Sequence, residues 1–200
     1  MILRPFKELL EESVAVHGHL CAGQVIGVRM AMLGCRLISI DDPQSESQRK
    51  KLMVYVEIDR CATDAIQSVT GCRMGKRTLK FRDFGINAAT FLHLETKQAY
   101  RIVSTEESRE LADKYAPREI DPARRQLIGY QKMPDEELFK VEPVQVLLED
   151  WELPGPPRRK ATCMRCGQVI RDGREIDEGD KILCRPCAGM AYFVPEVPDR

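Results

Sequence analysis

The sequence predicts an α+β core with a small metal-stapled finger at its end, and three observations lead there. Apolar residues recur at helical spacing over residues 5–16 and 21–34. β-rich runs then follow at 52–58, 78–83, 88–95 and 98–104, separated by short connections. Finally, WELPGPPRRK at 151–160 divides the chain before two Cys-x-x-Cys pairs.

In the first helix, Phe6, Leu9, Leu10 and Val14 form the apolar stripe. Ala22, Val25, Ile26, Met30 and Leu33 form that of the second, with Gly34 as its expected stop. LMVYVEI, 52–58, reads as a strand, and CATDAIQSV, 61–69, as a short helix ended by Gly71. TLKFRD, AATFLHLE and QAYRIVS read as successive strands, expected to be antiparallel because their connections are short. Residues 105–116 and 122–139 read as helices, and EPVQVLLE as one more strand. The prolines and glycine of 151–160 can continue neither a helix nor a central strand. The expected division is therefore a core domain, 1–155, and a finger, 156–200.

Composition narrows the function classes. Apolar residues are 43% and charged residues 31%, as in an ordinary globular chain. Lysine plus arginine equal aspartate plus glutamate, 31 against 31, so no global field draws the chain to nucleic acid or to a membrane surface. No apolar run approaches the roughly 18 residues of a membrane span, and the N-terminus turns acidic too early for a signal peptide. The expected location is cytoplasmic, where eight cysteines point to metal or catalysis before disulfides.

Cys163-x2-Cys166 and Cys184-x2-Cys187, seventeen residues apart, have the spacing of a four-thiolate zinc site. Each Cys-x-x-Cys turn brings two sulfurs to one ion, and two turns complete a tetrahedral shell with bonds of about 2.3 Å. The residues between the pairs suit a small hairpin turning near Asp172-Gly173 and Glu178-Gly179-Asp180, and AGMAYF after Cys187 can start a helix. Hairpin then helix is the treble-clef arrangement. So few apolar residues lie here that the metal must supply most of the folding free energy. Two disulfides or two redox pairs are the alternative. PPRRK, just before the finger, reads as a solvated linker, because stacking aromatics are few.

HGHLCAG, 17–23, holds two of the three histidines. Run extended, it would place His17, His19 and Cys21 on one side as a ligand set for zinc or another transition metal. Cys21 and Cys61 each begin a helix, where the dipole favours thiolate. Asp64 lies one turn beyond Cys61 on the same face. Cys72 sits in a Gly-x3-Gly loop before Lys76, an ammonium able to lower a thiol pKa or hold an anion. That loop lacks Walker spacing, since Arg77 stands where Ser or Thr would be. Cys35 reads as a buried small hydrophobe and His93 as a packing residue.

HGHLCAGQVIGVRMAMLG, DRCATDAIQSVTGCRMGKRTLKFRDFGINAATF and the four-cysteine finger together resemble the FmdE-like family, named for the E component of formylmethanofuran dehydrogenase. The resemblance implies an α+β core with a treble-clef finger, and homodimers whose chains intertwine. The family name comes from an accessory component of a molybdenum or tungsten enzyme that interconverts carbon dioxide and formylmethanofuran. Carried onto this sequence, the cleft would use His17, His19, Cys21, Cys61, Asp64, Cys72 and Lys76 as catalytic or ligand-holding residues. His19, Cys21, Cys61 and Cys72 would be metal or redox ligands, Asp64 would orient a ligand or move a proton, and Lys76 would offer charge to a small anionic or one-carbon ligand. Arg73 and Arg77 depart from the family pattern, where Thr and Gly are common. Two functions are expected: a metal-binding protein of one-carbon redox metabolism, or a non-catalytic subunit docking by its finger on a molybdopterin or tungstopterin oxidoreductase. Nucleic-acid binding through the finger is a third, weaker expectation.

Overall fold

The computed structural model describes residues 3–119 and 121–196 and divides the chain into two compact units, Met1–Leu147 and Leu148–Arg200.

The larger unit packs three helices on one mixed sheet. The helices are α1 (Phe6–His17), α2 (Ala22–Leu37) and α3 (Cys61–Thr70). The strands are β1 (Leu52–Val56), β2 (Leu79–Phe81), β3 (Ala88–His93), β4 (Ala99–Ser104) and β5 (Phe139–Pro143), in the order β2-β1-β3-β4-β5. Helix α2 is buried along most of its length, and Val25, Val28, Met30 and Ala31 are wholly inaccessible. A helix apolar nearly all round belongs inside a core, and here α1, α3 and the sheet surround it.

Strand β2 does not join the antiparallel meander expected of it. It pairs with β1 in parallel, Val54 opposite Leu79, while β1–β3, β3–β4 and β4–β5 are antiparallel. The cause is α3, which carries the chain from β1 back to the start of β2 as a crossover, and such a connection yields parallel neighbours.

Helix α2 also runs past Gly34, the expected stop, to Leu37. A Cβ at Gly34 would lie 2.3 Å from the Phe91 ring. Position 34 is therefore a close approach of helix to sheet and not a cap. Gly71 does cap α3, in the left-handed conformation (φ 68°).

The helix expected over 122–139 is two helices, α5 (Pro122–Lys132) and α6 (Asp135–Leu138), following α4 (Glu107–Tyr115). Met133, forced extended by Pro134, breaks the run (φ −62°, ψ 138°). The last strand of this unit begins at Phe139 rather than Glu142. Its ladder ends at Pro143 opposite Tyr100, because β4 itself starts only at Ala99.

One ion pair crosses the sheet. The Arg101 guanidinium donates to both carboxylate oxygens of buried Glu57, at 2.8 and 2.7 Å, and to Glu142 at 3.2 Å. His93 is buried, and its Nδ1 accepts from the backbone N–H groups of Glu95 and Thr96, capping the β3–β4 turn.

The smaller unit is built on two hairpins, β6 (Lys160–Thr162) with β7 (Val169–Arg171), and β8 (Ile176–Asp177) with β9 (Ile182–Leu183). Asp172-Gly173 therefore joins two hairpins instead of turning one. The helix expected after Cys187 is a single turn, Pro186–Met190, interrupted by left-handed Gly189. Trp151, read from sequence as linker, belongs to this unit: its indole lies against Gly173, and the Arg159 guanidinium stands 5.7 Å from its ring centre. Among the described residues no helix is long and apolar enough to cross a membrane.

Candidate functional site

The four finger cysteines meet. Their sulfurs lie within 4.8 Å of one another, with Cys166 Sγ and Cys184 Sγ 3.7 Å apart. Bonds of about 2.3 Å in a tetrahedron put sulfurs about 3.8 Å apart, so the set fits one ion with four thiolate ligands. The backbone N–H of Cys184, and behind it those of Cys166 and Arg165, pull the Cys163 thiol down to about 6 against the opposing effect of burial. Contact with the Cys184 thiol, then burial, pushes Cys187 up to about 12.

The second cluster forms where α1 hands over to α2. His17 is the last residue of α1, and Gly18 turns the chain with φ 97°. A residue with a Cβ rarely adopts that conformation. Cys21 is extended (φ −143°, ψ 167°) and accepts at its carbonyl from the N–H groups of Gln24 and Val25, opening α2. Helix end and left-handed turn, rather than the expected extended run, bring the three side chains together. A nitrogen of each imidazole and the Cys21 sulfur lie within 4.8 Å of one another, and the two rings are 4.7 Å apart.

His17 is held from behind. Its Nδ1 is 2.9 Å from Asp64 Oδ2, which fixes Nδ1 as the protonated nitrogen and leaves the Nε2 lone pair free. Nε2 is buried and has no hydrogen-bond partner among the described residues. A histidine whose far nitrogen is tied to a carboxylate is the usual support for a metal ligand.

Cys61, first residue of α3, contacts the Cys21 thiol. The two helices approach closely at this point, since a Cβ at Gly23 would sit 2.8 Å from Cys61 Cβ. The helix start was expected to favour the Cys61 thiolate. Instead burial, helped by the adjacent Cys21, pushes this thiol up.

Cys72 and Lys76 stand apart from the cluster. The Cys72 thiol is buried in the apolar core, 4.0 Å from the Leu52 carbonyl and near Cys35. Burial raises it, outweighing hydrogen bonds from Thr70 and Thr78 and the charges of Arg73 and Lys76. Lys76 is exposed on the loop before β2.

Beside His17 a cleft of about 440 Å³ opens at the C-terminal ends of β1 and β2 and the start of α3. Open α/β units commonly bind ligands in this position. Val56, Ile58, Leu79, Phe81 and Met74 supply apolar walls, and Asp59, Arg60, Asp64 and Gln67 supply polar ones.

Sequence reading missed the buried support under this site. Ser13 on α1 hydrogen-bonds to the Gln24 side-chain oxygen, and Gln24 Nε2 donates to the Cys61 carbonyl at 2.7 Å. This chain of contacts ties α1, α2 and α3 together directly below the ligands. A signal existed: Ser13 and His17 continue the stripe of Leu9 and Leu10 at four-residue steps, and a polar residue on an apolar stripe needs a partner inside.

Fold and site together define an α+β protein with two separate sets of metal-ligating side chains. Residues 16–140 match the family described as FmdE, Molybdenum formylmethanofuran dehydrogenase operon, and the chain belongs to that family. A curated relative from Archaeoglobus fulgidus, described as a probable S-adenosyl-L-methionine-binding protein, is 30% identical over 205 residues. The match takes in 93% of this chain but 54% of the relative, so the chain spans about half that protein's length. Among solved structures, an FmdE-like protein of tungsten formylmethanofuran dehydrogenase type from Syntrophus aciditrophicus superposes with a TM-score of 0.59 at 18% identity, over 97% of this chain and 100% of that one. This likeness supports the fold.

Proposed function

We propose that this FmdE-family chain is a metal-dependent small-molecule-binding protein of one-carbon redox metabolism, of the formylmethanofuran or formate type. Zinc closes the finger through Cys163, Cys166, Cys184 and Cys187, and a second transition metal sits on His17, His19 and Cys21 with Cys61 alongside. The observation that carries the reading is His17, anchored by Asp64 at Nδ1 while its buried Nε2 has no partner. Three protein ligands leave a coordination position open, as in catalytic rather than structural sites. A metal there would supply Lewis acidity to a ligand in the cleft. Asp64 orients His17, and Asp59 and Gln67 offer hydrogen-bonding groups along the cleft.

Metal analysis of protein purified without chelators tests this. The expected content is two ions per chain, falling to one in His17→Ala and in Cys21→Ser, while Asp64→Asn weakens the core ion about tenfold. A single ion per chain, unchanged by these substitutions, overturns the core site. S-adenosylmethionine belongs among the ligands tried, because the Archaeoglobus fulgidus relative carries that description.

The second reading is an accessory subunit docking on a molybdopterin or tungstopterin oxidoreductase through the finger. Met190, Tyr192 (98% exposed) and Val194 (89% exposed), just after the last cysteine, favour it. Self-association into homodimers is part of both readings, and exposed Val16, Leu20 and Phe84 offer apolar surface for it. Sedimentation of the full chain measures this.

A further inference from the structure

The volume and walls of the cleft bear on what it holds, given the metal reading above. About 440 Å³ is the size of an ordinary small-molecule pocket. A free one-carbon unit would leave nearly all of it to water. The walls are also uneven. Val56 and Leu79 form a buried apolar floor, and Phe81 and Met74 extend it outward.

The charges run against a free polyanion. Two carboxylates, Asp59 and Asp64, face the cleft with one guanidinium, Arg60. Lys76, which would have drawn an anion, does not line it. Exchanging water for a phosphate or sulfonate beside these carboxylates costs free energy. Exchanging water for a ring or alkyl chain on Leu79, Phe81 and Met74 gains it.

We infer that the cleft takes a carrier-sized ligand with an apolar or aromatic body, neutral or cationic, that presents one donor atom to the His17/His19/Cys21 metal. Any one-carbon group would arrive attached to that body. The body lies along Phe81 and Met74, and its donor end lies beside Cys61. Selectivity then comes from the apolar wall and the metal, with Asp59 and Asp64 turning away anionic carriers.

Two thiols with one donor chemistry and opposite bodies test this: phenylmethanethiol and 2-mercaptoethanesulfonate. Cobalt(II) is loaded into the full chain, and each thiol is titrated while the thiolate-to-cobalt absorption is followed. His17→Ala supplies the background of the finger's own cobalt. Phenylmethanethiol is expected to bind at least about tenfold more tightly, with most of that preference lost in Phe81→Ala and a further fall in Met74→Glu. Met74 is exposed, so its substitution leaves the fold intact. Equal affinities, or a preference indifferent to both substitutions, overturn this inference and leave the metal site standing. Wild-type cobalt content equal to that of His17→Ala overturns the metal site and this inference with it.

Discussion

Replacing Gln24 by leucine should loosen α1, α2 and α3 together. Gln24 is fully buried and makes two contacts, accepting from Ser13 and donating to the Cys61 carbonyl at 2.7 Å. Leucine keeps the length and the helix propensity, so the change isolates the polar contacts. It leaves a buried hydroxyl and a buried carbonyl unsatisfied, each costing about 1–2 kcal/mol. The expected loss is about 2–4 kcal/mol, less whatever the apolar replacement recovers by burial. Adding Ser13→Ala removes one of the two orphaned groups, so the double variant should regain about 1 kcal/mol relative to Gln24→Leu. Urea unfolding followed by far-UV circular dichroism reads the helical unit. Trp151, the sole tryptophan, lies in the smaller unit and its fluorescence serves as the internal control. An unchanged midpoint in Gln24→Leu, or additive losses in the double variant, would show that these contacts do not support the site.

Three other outcomes follow from the same structure. Arg101→Ala strands the buried Glu57 carboxylate and should cost about 3 kcal/mol in urea unfolding, whereas Glu142→Gln, at the partly exposed end, should cost under about 1 kcal/mol. Gly34→Ala drives a methyl into the Phe91 ring and should lower stability by about 1–3 kcal/mol, with Phe91→Leu in the same chain restoring part of it. In the finger before zinc loading, Cys163 is depressed from 9.0 to about 6, so its contribution to folding is present above about pH 9 and is lost as pH falls through about 6. At pH 7.5 this thiol is already largely ionised while the raised Cys166 and Cys187 carry protons. Zinc loading in weak buffer should release more than one and fewer than four protons per ion by indicator dye, and release of four would contradict the Cys163 environment.

Features set by local chemistry were legible in the residues. The Cys-x-x-Cys pairs announced the finger, because two turns of fixed length can only bring their sulfurs together. The apolar stripes of α1 and α2, the run of β1 and the left-handed cap at Gly71 could be placed for the same reason, since each depends on neighbours a few residues away. Long-range packing decided the rest. Gly34 reads as a stop until Phe91 arrives from another element. β2 reads as a meander strand until α3 carries it parallel to β1. Cys72 has the same sequence surroundings as a reactive thiol, yet the sheet buries it beside Leu52, and burial outweighs the nearby cations. By contrast His17, Asp64 and Cys61, remote in sequence, meet because Gln24 and the glycines of α2 let three helices close on one point. Residue type determined which side chains could bind a metal; the packing of α1, α2 and α3 decided which of them face the same space.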